Sequence, residues 1–261
     1  MVNSGVRRAA LLMMCWRTLI SLGMLTISAE QGLALDLRTD LVWWQYEEQT
    51  ADRRYAGAPF HSKADTITLA IKTTQSYEIN SEWQWRYSLS SLIPTAQANE
   101  RWLRVDYLQT NDLRIGQLDA QLELLRTVAA VNVGLWSALR WQQQARQHFR
   151  QNGAPLADPL VTETIRTAWA GGVVTNSWLR VEAGVPLWVY TTNSSISATF
   201  SKRQGYRIGG ELRTSMAQLG YGDFELHGAY HYQQLGGDPK PQALWPSNRL
   251  QTISLGASAR W

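Results

Sequence analysis

The chain has a single cysteine and no apolar run long enough to span a bilayer as a helix. Cys15 lies upstream of the apolar stretch Thr18 to Ala29 (TLISLGMLTISA), whereas a lipid-modified cysteine should follow such a stretch. A chain cleaved after that stretch keeps no cysteine, which excludes disulfides and thiolate metal sites. Lysine is scarce beside arginine, and no Lys/Arg run forms a basic patch, so nucleic acid is not an expected partner. Phenylalanine is scarce too, with four residues against 13 tryptophans and ten tyrosines. There is no long-period repeat and no low-complexity tract.

What is present begins with a basic N-terminus, MVNSGVRR, followed by Arg17 and the short apolar stretch. Gly32-Leu33-Ala34 then supplies small residues where a signal peptidase needs them. The expected organisation is a signal peptide over residues 1–34 and one mature domain over residues 35–261. The mature part carries 22 basic and 20 acidic residues, so the pI near 9.3 overstates its basicity. Tryptophan and tyrosine join an apolar ring to a polar handle, which suits a membrane–water interface. A Trp-rich chain without an apolar helix can enter a membrane only as a barrel.

The stretch Ile79 to Ser91 (INSEWQWRYSLSS) poses the choice directly. Trp83, Trp85, Tyr87 and Leu89 alternate with Glu82, Gln84, Arg86 and Ser88, which is the period of a strand with two unlike faces. A soluble sheet would turn the aromatics into a core, and a membrane barrel would turn them to lipid.

Twelve segments alternate in this way: Asp36–Tyr46, Thr66–Ser76, the Ile79–Ser91 stretch, Arg101–Gln109, Leu113–Leu125, Val128–Gln142, Val161–Val173, Ser177–Tyr190, Ser195–Lys202, Tyr206–Met216, Phe224–Gln234 and Leu250–Trp261. Their lengths fit strands that cross a bilayer at a tilt, and their number is even, as in bacterial barrels. The expected fold is therefore all-β, an antiparallel up-and-down transmembrane barrel of twelve strands. Ten is the alternative if Leu118 to Arg150 is helical, since Leu118, Leu122 and Leu125 also make a helical stripe. With both ends periplasmic, the long polar connections Glu47–Asp65, Ser91–Asn99 and Gly236–Arg249 fall outside. Thr110-Asn111-Asp112 and Thr191–Ser194 read as short turns. Gln143–Leu160 then falls on the periplasmic side, where a long segment is out of place.

The polar faces carry nearly equal numbers of opposite charges, with nine arginines to one lysine, Lys72. Arginine suits crowded, bidentate pairing, so these faces read as enclosed, not solvated. Lumen candidates along the first half are Arg38, Glu82, Arg86, Arg104, Asp106, Asp119, Glu123 and Arg140. Further on they are Arg180, Glu182, Arg207, Glu211, Arg213, Glu225, His227 and His231. The aromatic belt expected to face lipid comprises Trp43, Trp83, Trp85, Tyr87 and Tyr107, then Trp141, Tyr206, Tyr230, Tyr232 and Trp261. Arg166 also falls on a polar face.

The terminus LQTISLGASARW resembles the last strand of bacterial outer-membrane barrels, which alternates and ends on an aromatic residue. Trp261 stands where that family usually has Phe. The resemblance implies the outer membrane of a diderm bacterium, the barrel assembly machinery as a partner, and contact with lipid and lipopolysaccharide. The strand number and short turns also look something like the small oligosaccharide channels of the KdgM class, whose lumen is mostly arginine, unlike the balanced set here.

Three functions follow. A narrow passive channel for small polar solutes would use the mixed-charge lumen, unless the same charges pair and plug it. A structural or adaptor barrel would hold a partner or surface glycan through loops such as Glu47–Asp65, with Tyr55, Pro59 and Phe60, or Gly236–Arg249, with Trp245. A hydrolase could use His227 and His231 with Glu225 and a serine among Ser197, Ser201 and Ser254, but no known motif supports it, and no enzyme activity is expected. Two histidines without a third ligand are not a metal site, and no cofactor is expected.

Overall fold

Within a bilayer, strands must have every backbone polar group paired by a neighbour, and only a sheet closed on itself achieves that. The computed structural model has this form. It describes residues 35–50, 60–93, 98–103, 108–149, 155–193, 197–198, 205–217, 224–236 and 247–260. Among them are twelve strand segments: β1 (Leu35–Thr50), β2 (Phe60–Glu78), β3 (Trp83–Ile93), β4 (Ala98–Leu103), β5 (Leu108–Val128), β6 (Val131–Phe149), β7 (Pro155–Thr175), β8 (Leu179–Asn193), β9 (Ser197–Ala198), β10 (Gly205–Ser215), β11 (Phe224–Leu235) and β12 (Ser247–Arg260). All pairings are antiparallel, and β1 pairs with both β2 and β12, which closes the ring.

The ring has ten positions, not twelve. β3 and β4 both lie between β2 and β5, end to end in one position. β9 and β10 both lie along β8 and share another. The expected fourth strand, Arg101–Gln109, therefore straddles the passage from β4 to β5. Thr110, Asn111 and Asp112 are no turn, since they pair with Arg101, Glu100 and Asn99. The ninth candidate reduces to Ser197 and Ala198. Strands here run to 21 residues, about twice what the bilayer requires, and turn-like residues are tolerated where a strand projects beyond lipid.

The helical explanation for ten strands fails. Leu118 to Phe149 lies in β5 and β6, with Leu118 and Leu122 facing out and Leu125 buried inside. The correction also repositions Gln143–Leu160. Gln143–Phe149 completes β6 and Pro155–Leu160 begins β7, so with one strand fewer before it this connection joins strands at the loop end. Thr191–Asn193 likewise belongs to β8, not to a turn.

The opposite end carries both termini of the barrel and the short turns. Asn80 Oδ1 accepts hydrogen bonds from the amides of Glu82 (3.0 Å) and Trp83 (2.9 Å), and Asn176 Oδ1 from those of Trp178 (3.0 Å) and Leu179 (2.7 Å). Such asparagine-led turns replace ladder bonds where the chain reverses. Ala129, at φ 55°, makes the two-residue turn between β5 and β6. Short turns mark the periplasmic end of an outer-membrane barrel.

The exterior is apolar, with Leu41, Leu69, Leu135, Leu139 and Leu255 among its exposed side chains. Aromatics flank this aliphatic zone. Tyr77, Trp85 and Trp178 lie toward the turns, and Arg126 stands over the Trp83 ring at 5.7 Å. Toward the loops Trp188 stacks on Tyr190 (6.0 Å) and Tyr206 on Tyr232 (5.5 Å). Two girdles with aliphatic surface between them are the signature of a lipid-embedded barrel.

Candidate functional site in the barrel lumen

The inward residues of each strand meet in a lumen filled by two kinds of side chain. Toward the loop end Val42, Trp44, Tyr46, Ala64, Leu92, Leu113, Ile115 and Leu250 form one buried apolar cluster. A second, along β5–β8 and β11, includes Trp136, Ile165, Trp169, Val189 and Leu235. Trp44 is 1% exposed and Trp169 0%. The sequence reading missed this layer. Its signal was there, because the parity that turns Arg38 and Asp40 inward also turns Trp44 and Tyr46 inward.

Below the apolar layer lies a charged network. Arg38 donates through Nε to Asp40 (2.6 Å) and through Nη1 to Glu211 (2.6 Å), whose other oxygen meets Arg213 Nε at 2.8 Å. Arg180 sits between two carboxylates, at 2.7 Å from Glu123 and 2.6 Å from Glu182. Arg207 reaches Glu182 at 3.0 Å and Asp119 at 3.6 Å. Arg140 also binds Asp119, through Nε to Oδ1 at 3.0 Å, and donates to Gln233.

Several of these contacts cross the barrel. Asp119 on β5 and Arg207 on β10 are separated by β6, β7 and β8, and Arg140 on β6 and Gln233 on β11 by β7, β8 and β10. In a ring of ten such pairs stand on opposite walls. Arg207 also lies 5.2 Å above the Trp136 ring, which ties the charged and apolar parts together. Glycine makes room for this: a Cβ on Gly184 would fall 2.5 Å from Trp136 Cζ2.

Two spaces remain. A small cavity of about 130 Å³ lies at the level of the crossing contacts, bordered by Asp119, Arg207 and His231. A larger one, about 660 Å³, fills the periplasmic mouth and is bordered by Lys72, Arg86, Arg213 and His227, with Asp36, Glu78 and Glu225 among its walls. The wall of the larger cavity holds five cations (Arg38, Lys72, Arg86, Arg180 and Arg213) and five carboxylates (Asp36, Glu78, Glu123, Glu211 and Glu225). Lys72 makes no hydrogen bond or ion pair among the described residues. Arg86 comes no closer than 3.6 Å to Glu123, which Arg180 already holds.

The sequence-derived candidates fall into three groups. Arg38, Arg86, Asp119, Glu123, Arg140, Arg180, Glu182, Arg207, Glu211, Arg213, Glu225, His227 and His231 lie on the inward faces of their strands. Glu82 does not: it sits in the Ile79–Glu82 turn and pairs with the exposed Arg126 at 3.1 Å. Arg166 faces outward over Tyr190 at 5.9 Å. A bulge opposite Ala168 and Trp169 shifts the parity of β8, so Val189 points inward and Trp188 outward, against the simple alternation expected there. Trp43, Trp83, Trp85, Tyr87, Trp141, Tyr206, Tyr230 and Tyr232 occupy outward positions. The side chains of Arg104, Asp106, Tyr107 and Trp261 lie outside the described residues.

No protein-family model matches the chain, and no curated protein matches it. Among solved structures, the fold is similar to the outer membrane protease OmpT from Escherichia coli, with a TM-score of 0.61 at 6% identity over 88% of this chain and 96% of that one. More distant matches include the translocator domain of the autotransporter NalP from Neisseria meningitidis (TM-score 0.41, 8% identity, 98% of each chain) and an outer membrane channel from Pseudomonas putida F1 (0.41, 8%, 86% and 95%). At these identities the likeness speaks for fold alone. With the apolar exterior and its two girdles, it makes the chain a ten-stranded transmembrane β-barrel of the outer-membrane type.

Proposed function

We propose that the protein is a closed structural barrel that presents its ends to a partner or surface glycan, in preference to the passive channel that the mixed-charge lumen suggested. One observation carries this reading: Arg207 and Asp119, and Arg140 and Gln233, join opposite walls at mid-lumen. A diffusing solute would have to break these contacts and then displace Trp44, Tyr46 and Leu113 from the apolar cluster toward the loops. Opening these contacts would leave buried charged groups without partners, which is unfavourable. A hydrolase built on His227 and His231 gains no support, because neither hydrogen-bonds a serine or an acid among the described residues, and His231 Nδ1 is 4.0 Å from Glu182.

Proteoliposome swelling tests the reading. Vesicles carrying the folded protein should swell in glycine or arabinose no faster than protein-free vesicles. Swelling that scales with protein content and falls with solute size would restore the channel.

A further inference from the structure

We infer that the periplasmic mouth of the barrel is a binding site for a small dianion, a phosphate monoester or a dicarboxylate, held by Lys72, Arg86, Arg213 and His227. Only its being a blind pocket rests on the closed lumen proposed above; the side chains that line it do not. The volume of about 660 Å³ falls within the range of small-molecule sites. Four side chains from four strands converge on it, Lys72 from β2, Arg86 from β3, Arg213 from β10 and His227 from β11.

Charge gives the ligand its sign. Cations and carboxylates are equal in number on the cavity wall, but among the described residues Lys72 has no hydrogen-bonded or ion-paired carboxylate, and Arg86 has only the 3.6 Å contact with Glu123. Glu211 and Glu123, the carboxylates acting on Lys72, are already engaged by Arg38, Arg213 and Arg180. A buried cation without a close partner is costly, so a counter-anion is favoured beside Lys72, with Arg86 within reach of it. Asp36, Glu78 and Glu225 stand nearer the mouth, on the rungs closest to the turns.

A second observation is independent of that balance. His227 is only 6% exposed, borders the cavity, and has no hydrogen-bond partner at either Nδ1 or Nε2 among the described residues. A buried imidazole with both nitrogens idle is a group awaiting a partner, and an oxyanion can take a hydrogen bond from it.

The test is calorimetric titration of the full folded chain in detergent micelles with inorganic phosphate, with succinate, and with chloride at matched ionic strength. Saturable binding of phosphate alone identifies the phosphate class, of succinate alone the dicarboxylate class, and of both a general dianion site. Each supports the inference if Lys72→Met or Arg86→Gln weakens binding at least tenfold while the exterior Arg126→Gln leaves it unchanged. Independently of any variant, the binding dianion should raise the unfolding temperature of the unmodified protein above its value in chloride. No binding beyond chloride, or equal binding by Lys72→Met and Arg86→Gln, overturns it. Silence in a flux experiment bears on the lumen and leaves this result independent.

Discussion

Asp119 is a junction of the lumen network, because Arg140 and Arg207 both close on it from different strands. Asp119→Ala should therefore destabilise the barrel by about 3–5 kcal/mol, the cost of leaving the buried Arg140 without its carboxylate while Arg207 keeps Glu182. The measurement is the temperature at which the folded, fast-migrating band is lost on gel electrophoresis, and an unchanged value would show that the network is slack. At this scale the sequence was informative about position and poor about partnership. Alternation put Arg38, Asp119 and Arg180 inside, but which carboxylate each meets depends on shear and diameter, which no single strand encodes. Trp44 and Trp136 show the opposite failure: their parity was readable, yet they were given no face, because only charged residues were looked for inside a barrel narrow enough to fill its interior with aromatics as well.

Strand identity was legible wherever lipid forces a strict period of two, as in β1, β11 and β12. It failed in Arg101–Gln109 and Ser195–Lys202, where strands run past the bilayer and the constraint on each face lapses. There alternation no longer distinguishes a new strand from the continuation of an old one, and two false strands shifted the count from ten to twelve. The bulge in β8 failed for a related reason, since one extra residue reverses the facing of Val189 without any special residue to announce it. The lipid-facing rows themselves make a direct prediction. Leu255, 68% exposed, lies beside Leu41 on β1, which lies beside Leu69 on β2, in an aliphatic row. Leu255→Arg should cost about 2–4 kcal/mol in lipid vesicles, as for arginine near a bilayer midplane. Reversible denaturant unfolding in vesicles would measure it, and a cost below about 1 kcal/mol would place this row at an interface.

As a whole the molecule is a ten-position cylinder whose outside is organised by lipid and whose inside is organised by charge. Ten strands leave a lumen between the packed eight-stranded case and the open pores, narrow enough for arginine side chains to span. That size explains why one composition of Arg, Asp and Glu can give a crossing network where a wider ring would give a charged pore. It also gives the interior two ends of different character: Trp44, Tyr46 and Leu113 pack together toward the loops, and Lys72, Arg86 and His227 border a cavity at the periplasmic mouth. Single-channel recording in planar bilayers tests this most directly. The unmodified protein should give no stable conductance steps, whereas the protein with Asp119, Trp44 and Trp169 all replaced by alanine should give them if it still inserts. Regular, protein-dependent steps from the unmodified chain would contradict a closed lumen.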